Sequence, residues 1–165
     1  MGTLLNTIAI RTALRPGDLG AIVRMHGEIY AREHDFDHTF EAYVAGPLAE
    51  LALASSPRER LWIVEAAKGI VGCVAIVAAG DRTAQLRWFL VDPEHRGAGV
   101  GSLLVHEAVE FAKDEGYESV VLWTVSALAS AGRIYASAGF VRTEERPGHR
   151  WGVDVIEEKH ELRLR

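Results

Sequence analysis

Cysteine is almost absent: Cys73 stands alone in 165 residues, so neither an intramolecular disulfide nor a cysteine-based zinc cluster can form. Nothing in the chain calls for an oxidising compartment, and a reducing cytoplasm suits it. No metal site is read from it. Long hydrophobic runs are missing too. None approaches the ~18 residues that a membrane span needs, and the N-terminal MGTLLNTIAI lacks the basic start and long apolar core of a leader. A soluble protein without a membrane is expected. Positive charge is in short supply, with 18 Lys and Arg against 23 Asp and Glu and a net charge of −5. That balance offers no drive toward a polyanion, so nucleic acid is not expected as a partner. Repeats, low-complexity tracts and Pro- or Ser-rich linkers are also lacking, which predicts a single domain over residues 1–165. With 48% apolar and 25% charged residues the chain has a globular composition, and a domain of this length buries roughly two thirds of its unfolded surface.

The hydrophobic periods predict the elements. Ile8, Ile10, Thr12 and Leu14 alternate as in a half-buried strand that ends at Pro16-Gly17. Asp18 is placed to cap a helix whose apolar face carries Leu19, Ile22, Val23, His26, Ile29 and Tyr30. A second helix is predicted over 40–53, interrupted near Gly46-Pro47 because proline cannot continue the hydrogen-bond ladder. Strand signals follow over 61–66, 70–78 and 84–91, with connections too short for parallel crossovers. From Gly99 the period becomes helical, with Val100, Leu103, Leu104, Ala108, Phe111 and Ala112 on one stripe and Gly116 as the stop. An apolar strand over 119–125, a helix over 128–138, a strand near Val141 and a last strand over 153–164 complete the order β-α-α-β-β-β-α-β-α-β-β. The segment 145–151 is expected to be a polar loop. A meander joined to one β-α-β crossover makes an α/β fold with a mixed sheet.

The segment from Leu90 to Ser102 runs from a strand end directly into an amphipathic helix through three alternate glycines, Gly97, Gly99 and Gly101. Glycine admits torsions closed to other residues and leaves no Cβ between a ligand and the main-chain amides. The first amides of a helix lack internal partners and sit at the positive end of its dipole, which suits a phosphate. Arg96 adds a forked cation. No Lys follows the last glycine, and Ser102 stands where a dinucleotide fingerprint needs its third glycine, so neither common nucleotide loop fits.

Arg96-Gly97-Ala98-Gly99-Val100-Gly101 resembles the R/Q-x-x-G-x-G/A signature of the GNAT acetyltransferase superfamily, and Tyr135-Ala136-Ser137-Ala138-Gly139-Phe140 is similar to its Y-x-x-x-G-F segment. More narrowly, Leu86-Arg87-Trp88-Phe89-Leu90-Val91, Leu122-Trp123-Thr124 and Gly152-x-Asp154 resemble the acetyltransferase halves fused behind MarR-type regulators. The resemblance implies the acyl-CoA N-acyltransferase fold, with acetyl-CoA between two splayed strands over 84–91 and 119–125. Its implied contacts are Phe89, Leu90 and Val91 for the pantetheine arm and Arg96, Gly97, Ala98, Gly99, Val100, Gly101 and Ser102 for the pyrophosphate. An amine would attack the thioester directly, with a backbone N–H near Leu90 or Val91 facing the developing oxyanion and Tyr135 serving the departing thiolate. The family's asparagine before that tyrosine is replaced, whether at Val125 or at Leu128, so one cofactor hydrogen bond fewer is implied.

The acceptor, a small-molecule or peptide amine, is not named by the sequence. An alkyl ammonium, with a pKa near about 10.4, must lose a proton before it attacks; His26, Glu28, Glu65 and His149 are the candidate bases. Arg87 is placed to hold an acceptor's carboxylate, and Trp88, Trp123 and Trp151 to shape an apolar pocket, with His149 in the bordering segment. Cys73, in a strand interior, is a poor nucleophile. A non-catalytic acyl-CoA-binding module is the alternative from another class. A Rossmann domain is disfavoured because Glu118 precedes the strand it would have to follow. A homodimer through an exposed final strand is a further expectation.

Overall fold

The computed structural model describes residues 7–164. The stretch 1–6, on which part of the leader reading fell, lies outside the described residues. The order is β1 (Ala9–Arg11), α1 (Asp18–His34), α2 (His38–Ala54), β2 (Arg60–Ala66), β3 (Gly69–Ala78), β4 (Thr83–Val91), a 3-10 turn (Pro93–His95), α3 (Val100–Asp114), β5 (Ser119–Val125), α4 (Ala129–Ser137), β6 (Val141–Arg150) and β7 (Val153–Arg163). One seven-stranded sheet runs β1-β2-β3-β4-β5-β7-β6, antiparallel throughout except where α3 carries the chain from β4 to parallel β5. This is the mixed α/β architecture that the strand and helix periods predict.

Helices cover both faces of the sheet. Phe40, Val44 and Leu48 of α2 join Ile22, His26 and Ile29 of α1 in burying one face. Leu104, Val105, Ala108, Phe111 and Ala112 of α3 bury the other. Leu103, assigned by spacing to that stripe, is 42% exposed, and Val105 takes its place. Gly116 stops α3 in the left-handed conformation (φ +83°), with the Tyr117 amide donating to Ala112 O.

Five details differ from the sequence reading. β1 is only three residues long. Gly17 (φ +91°), not Asp18, stands at the N-cap of α1; the Asp18 carboxylate accepts from the Arg15 amide and pairs with Arg11. Arg11 thereby ties β1 to α1 and holds the Asp18 carboxyl below its ordinary range. α2 runs unbroken through Pro47, because the packing of Phe40, Val44 and Leu48 on the sheet fixes the helix on both sides of the lost hydrogen bond. The segment 145–151 is mostly strand, since β6 extends to Arg150 and pairs with β7 across the turn at Trp151-Gly152. The edge at this end of the sheet is therefore β6, not the last strand, because β7 inserts between β5 and β6; β1 forms the other edge.

The feature that shapes the site is a bulge in β4. Ala75 pairs with Arg87 and Cys73 with Leu90, so Trp88 and Phe89 together oppose Val74. Trp88 adopts φ +51°, an uncommon conformation for a bulky residue, and its carbonyl accepts from the Cys73 thiol at 3.0 Å. Simple alternation would place Trp88 beside Leu86 on the α3 face; the bulge sends it instead to the α1–α2 face, with Phe89 left on the other. Close to it, β4 parts from β5: the two pair only from Thr83 and Ser119 to Gln85 and Val121, and the bulge follows that last pair.

The anchor of α3 on this sheet is measurable. Leu104 is fully buried, so Leu104→Ala should cost about 2–5 kcal/mol in urea unfolding. A loss under about 1 kcal/mol would mean that α3 is not packed as described.

Candidate active site

The gap between β4 and α4 is a cleft of about 560 Å³, with the start of α3 at its mouth. Phe89, Leu90, Val91, Arg96, Gly97, Gly99, Gly101 and Ser102 line it, with Tyr30 and Glu33 of α1 on one side and Leu128 and Ile134 on the other. Ala98 is exposed outside the lining, and the Val100 side chain is buried in the core, so these two residues offer only their main chain. No side chain caps α3, so the amides of Val100, Gly101 and Ser102 begin the helix without partners. The three glycines serve different ends. Gly97 (φ +82°) and Gly99 (φ +85°) are needed for their torsions, since a Cβ on either would meet nothing within 4 Å. Gly101 is needed for space: its Cβ would lie 2.9 Å from Ile134 Cδ1 and 3.1 Å from Phe89 Cζ.

Arg96 is held differently from the expectation. Its Nε donates to Val91 O at 2.9 Å, and both fork nitrogens bind the Glu33 carboxylate at 2.8 Å. The guanidinium holds the Glu33 carboxyl below its ordinary range. Arg96 therefore ties the loop to α1, and its charge is shared. The Asp92 amide donates to Val71 O across β3, so by alternation along β4 the Val91 and Phe89 amides face the cleft and the Leu90 amide faces β3. Of the two oxyanion candidates, this leaves Val91.

A second cavity, of about 100 Å³, opens on the α1–α2 side of the parted strands. Tyr30, Phe89 and Leu128 line both spaces and form their shared wall. Arg87, Trp88, Trp123 and Trp151, read in the sequence as acceptor residues, all face it, and Tyr43 and Phe40 add further aromatic surface. Tyr135 lines it as well, its ring 5.7 Å from that of Phe89. Burial and the neighbouring Tyr30 hydroxyl raise the pKa of the Tyr135 phenol, so it is a proton donor at neutral pH. Burial raises that of Tyr30 in the same way.

Of the four candidate bases, only His26 reaches this cavity. Glu28 pairs with Arg24 on the exposed side of α1, and Glu65 binds Arg11 beside β1. His149 sits on β6 with its Nδ1 2.9 Å from Asp154 across the hairpin, outside both spaces; β6 carries it away because the expected loop is a strand. Among the lining residues that sequence reasoning missed, two carry polar groups that bear on the chemistry. Tyr30 stands one turn after His26 on the same helix face, and Glu157 lies opposite Val125 in the β5–β7 register, where only strand pairing brings it near. Cys73, buried and with its thiol pKa pushed up to about 12, is no nucleophile.

Three buried polar atoms of residues that line the second cavity have no partner: His26 Nε2, Trp88 Nε1 and Thr124 Oγ1. Each unmet group costs about 1–3 kcal/mol. His26 Nδ1 lies 2.9 Å from Ile22 O; a carbonyl only accepts, so Nδ1 carries the proton and Nε2 the lone pair. Among the described residues no helix is long and apolar enough to cross a membrane, and no group of three or more His, Cys, Asp or Glu could hold a metal ion.

Two measurements test this geometry. Burial lowers the His26 pKa from 6.5 to about 4, so the unfolded chain binds its proton first. Stability should be full above pH 6.5 and fall by up to about 1.4 kcal/mol per unit toward pH 4. His26→Gln should flatten this slope in urea unfolding between pH 6.5 and 4.5, above the range where Asp18 and Glu33 take up protons; an unchanged slope would refute the assignment. Gly101→Val should destabilise the chain by about 1–3 kcal/mol through overpacking against Ile134 and Phe89, and a neutral result would mean that the close approach is absent.

Three comparisons agree with this architecture. The family model described as "Acetyltransferase (GNAT) family" matches residues 23–140. An uncharacterised N-acetyltransferase of Schizosaccharomyces pombe is 32% identical over 142 residues, covering 84% of this chain and 86% of its own. Human N-acetyltransferase 8B is 38% identical over 95 residues, 54% of this chain and 42% of that longer protein. Among solved structures, YncA from Salmonella typhimurium, a putative acetyltransferase with its cofactor acetyl-CoA, superposes with a TM-score of 0.77 at 21% identity, covering 97% of this chain and 95% of its own. The spermidine N-acetyltransferase from Vibrio cholerae, in complex with CoA and spermine, superposes at 0.71 and 19% identity over 94% and 95%. The two structures share the fold, and the match over 23–140 covers both the glycine loop and Tyr135: the chain belongs to the acetyltransferase (GNAT) family.

Proposed function

We propose that the chain, as a single domain over 1–165, transfers the acetyl group of acetyl-CoA to a primary amine by direct attack, with no acyl-enzyme. The observation that carries this reading is the meeting of two spaces, one lined with unpartnered amides and one with aromatic rings, at a wall made of Tyr30, Phe89 and Leu128. The cleft suits coenzyme A because the start of α3 is uncapped and Gly101 admits no side chain. Acetyl-CoA, when bound, supplies an activated acyl group as a thioester.

The chain's own residues supply the rest. The amides of Val100, Gly101 and Ser102 hold the pyrophosphate, as helix starts do for anions. Phe89 and Val91, freed from β5 by the parted strands, offer main-chain groups to the pantetheine arm, and the Val91 amide faces the acyl oxygen. Leu128 gives that arm only apolar contact, and Val125 lines the second cavity alone. The acceptor nitrogen bonds to the acyl carbon as that carbon parts from sulfur; Tyr135 gives its phenolic proton to the sulfur, and the nitrogen's surplus proton passes to the cavity side. There His26, a weak base because it is buried, and Glu157 line the space. The narrower likeness to MarR-fused acetyltransferases supports this reading only through Arg87, Trp88, Trp123 and Thr124, all of which line the acceptor cavity. A reducing cytoplasm fits the buried thiol of Cys73. A dimer through the C-terminal hairpin falls to β6, where Pro147 and paired charges blunt association.

The test is release of free thiol from acetyl-CoA across a panel of amines, beside thermal melting with the cofactor. At ~100 times the dissociation constant, binding should add about 2.7 kcal/mol of stability. Tyr135→Phe should lower kcat up to ~10²–10³-fold with cofactor binding kept. Binding without release on any amine would favour a sensing module, and an unchanged kcat in the phenylalanine variant would remove Tyr135 from the mechanism.

A further inference from the structure

We infer that the acceptor is a small amine bearing a carboxylate, of the α-amino acid type, held through Arg87 and discriminated from polyamines by the charge of the cavity. The inference rests on the transferase reading above and deepens it. Arg87 is the single cation among the cavity's lining residues, and among the described residues no carboxylate lies within 4 Å of it. Its guanidinium sits 4.6 Å from the Trp88 ring centre and 5.9 Å from that of Tyr43. The one lining carboxylate, Glu157, is already bound by Arg150 at 2.9 Å. With that pair neutral, Arg87 leaves the cavity one positive charge in excess, at a half-buried place where a cation favours an anionic partner.

The unpartnered atoms point the same way. Trp88 Nε1 can only donate, His26 Nε2 in its fixed tautomer can only accept, and Thr124 Oγ1 can do either. A polyamine presents donors alone once protonated and would leave the indole unmet while adding charge beside Arg87. A molecule that carries both an amine and a carboxylate presents a donor to His26 and acceptors to Trp88 and Arg87. The rings of Tyr43, Phe40, Trp123 and Trp151 then offer apolar surface to its side chain. Because the bulge puts Arg87 and Trp88 consecutively on one face, both donors serve one space.

The experiment uses the full chain and a panel of L-amino acids, each beside its carboxamide and its decarboxylated amine, with spermidine as the polyamine. Thiol release gives kcat/KM for each, and calorimetry on the CoA-loaded protein gives binding independently of turnover. The preferred amino acid should exceed its amide and its decarboxylated amine at least tenfold in kcat/KM, the difference lying in KM. Arg87→Gln should abolish that ratio, and Arg87→Lys should restore part of it. Equal or better use of the carboxylate-free amines or spermidine, or an Arg87→Gln loss shared equally by acid and amide, overturns the inference and leaves the transferase reading standing. Calorimetric preference for the carboxylate without any thiol release supports the inference and overturns the transferase instead. No binding of any amino acid to the CoA-loaded protein overturns the inference.

Discussion

The bulge at Trp88-Phe89 is the constraint on which the site depends. One extra residue in β4, opposite Val74, takes the strand out of line with β5 after three paired residues. In an unbroken parallel pair, the Phe89 and Val91 amides would be spent on the neighbouring strand, and no ligand could use them. Parting the strands converts sheet backbone into binding surface while β3 and β7 keep each strand paired on its far side. The conformation that Trp88 must adopt is unfavourable, and it is held in place by burial among α1 and α2 residues and by the Cys73 thiol on its carbonyl.

The same displacement decides which side chains meet. Phe89 faces the cleft at the start of α3, where it closes on Gly101, and Trp88 turns to the aromatic cavity beside Arg87. Helix α1 then bridges the two spaces. Its Glu33 grips Arg96 at the glycine loop, Tyr30 stands on the shared wall, and His26 presents an unmet nitrogen one turn earlier. Loop, strand and helix are thus tied to one another by the groups that line the site, and Arg96 contributes to that rigidity as well as to the local charge.

The glycine-loop cleft was legible from the chain because its determinants are local. Torsions at Gly97 and Gly99, the helix that starts at Val100 and the strand that ends at Val91 are all set within a dozen consecutive residues. The aromatic cavity was legible only in part. Arg87 was visible as a cation on a central strand and Trp88, Trp123 and Trp151 as large aromatics able to shape an apolar pocket, yet His149, near Trp151 in sequence, proved to lie outside the cavity. A stretch rich in Glu, Arg, Pro and Gly reads as a loop; pairing with β7 made it a strand. Pro47 misled in the same way, because tertiary packing holds α2 straight where local propensity predicts a break.

By itself, the sequence determined the α/β element order, the turn of α3 onto β4 and the amide-rich loop, since periodicity and glycine torsions act over a few neighbouring residues. Only the tertiary structure decided that His26, Tyr30, Arg87, Tyr135 and Glu157 share one space, that Arg96 is bound to Glu33, and that β6 rather than β7 forms the edge. Those outcomes depend on contacts between residues far apart along the chain, which no local pattern encodes.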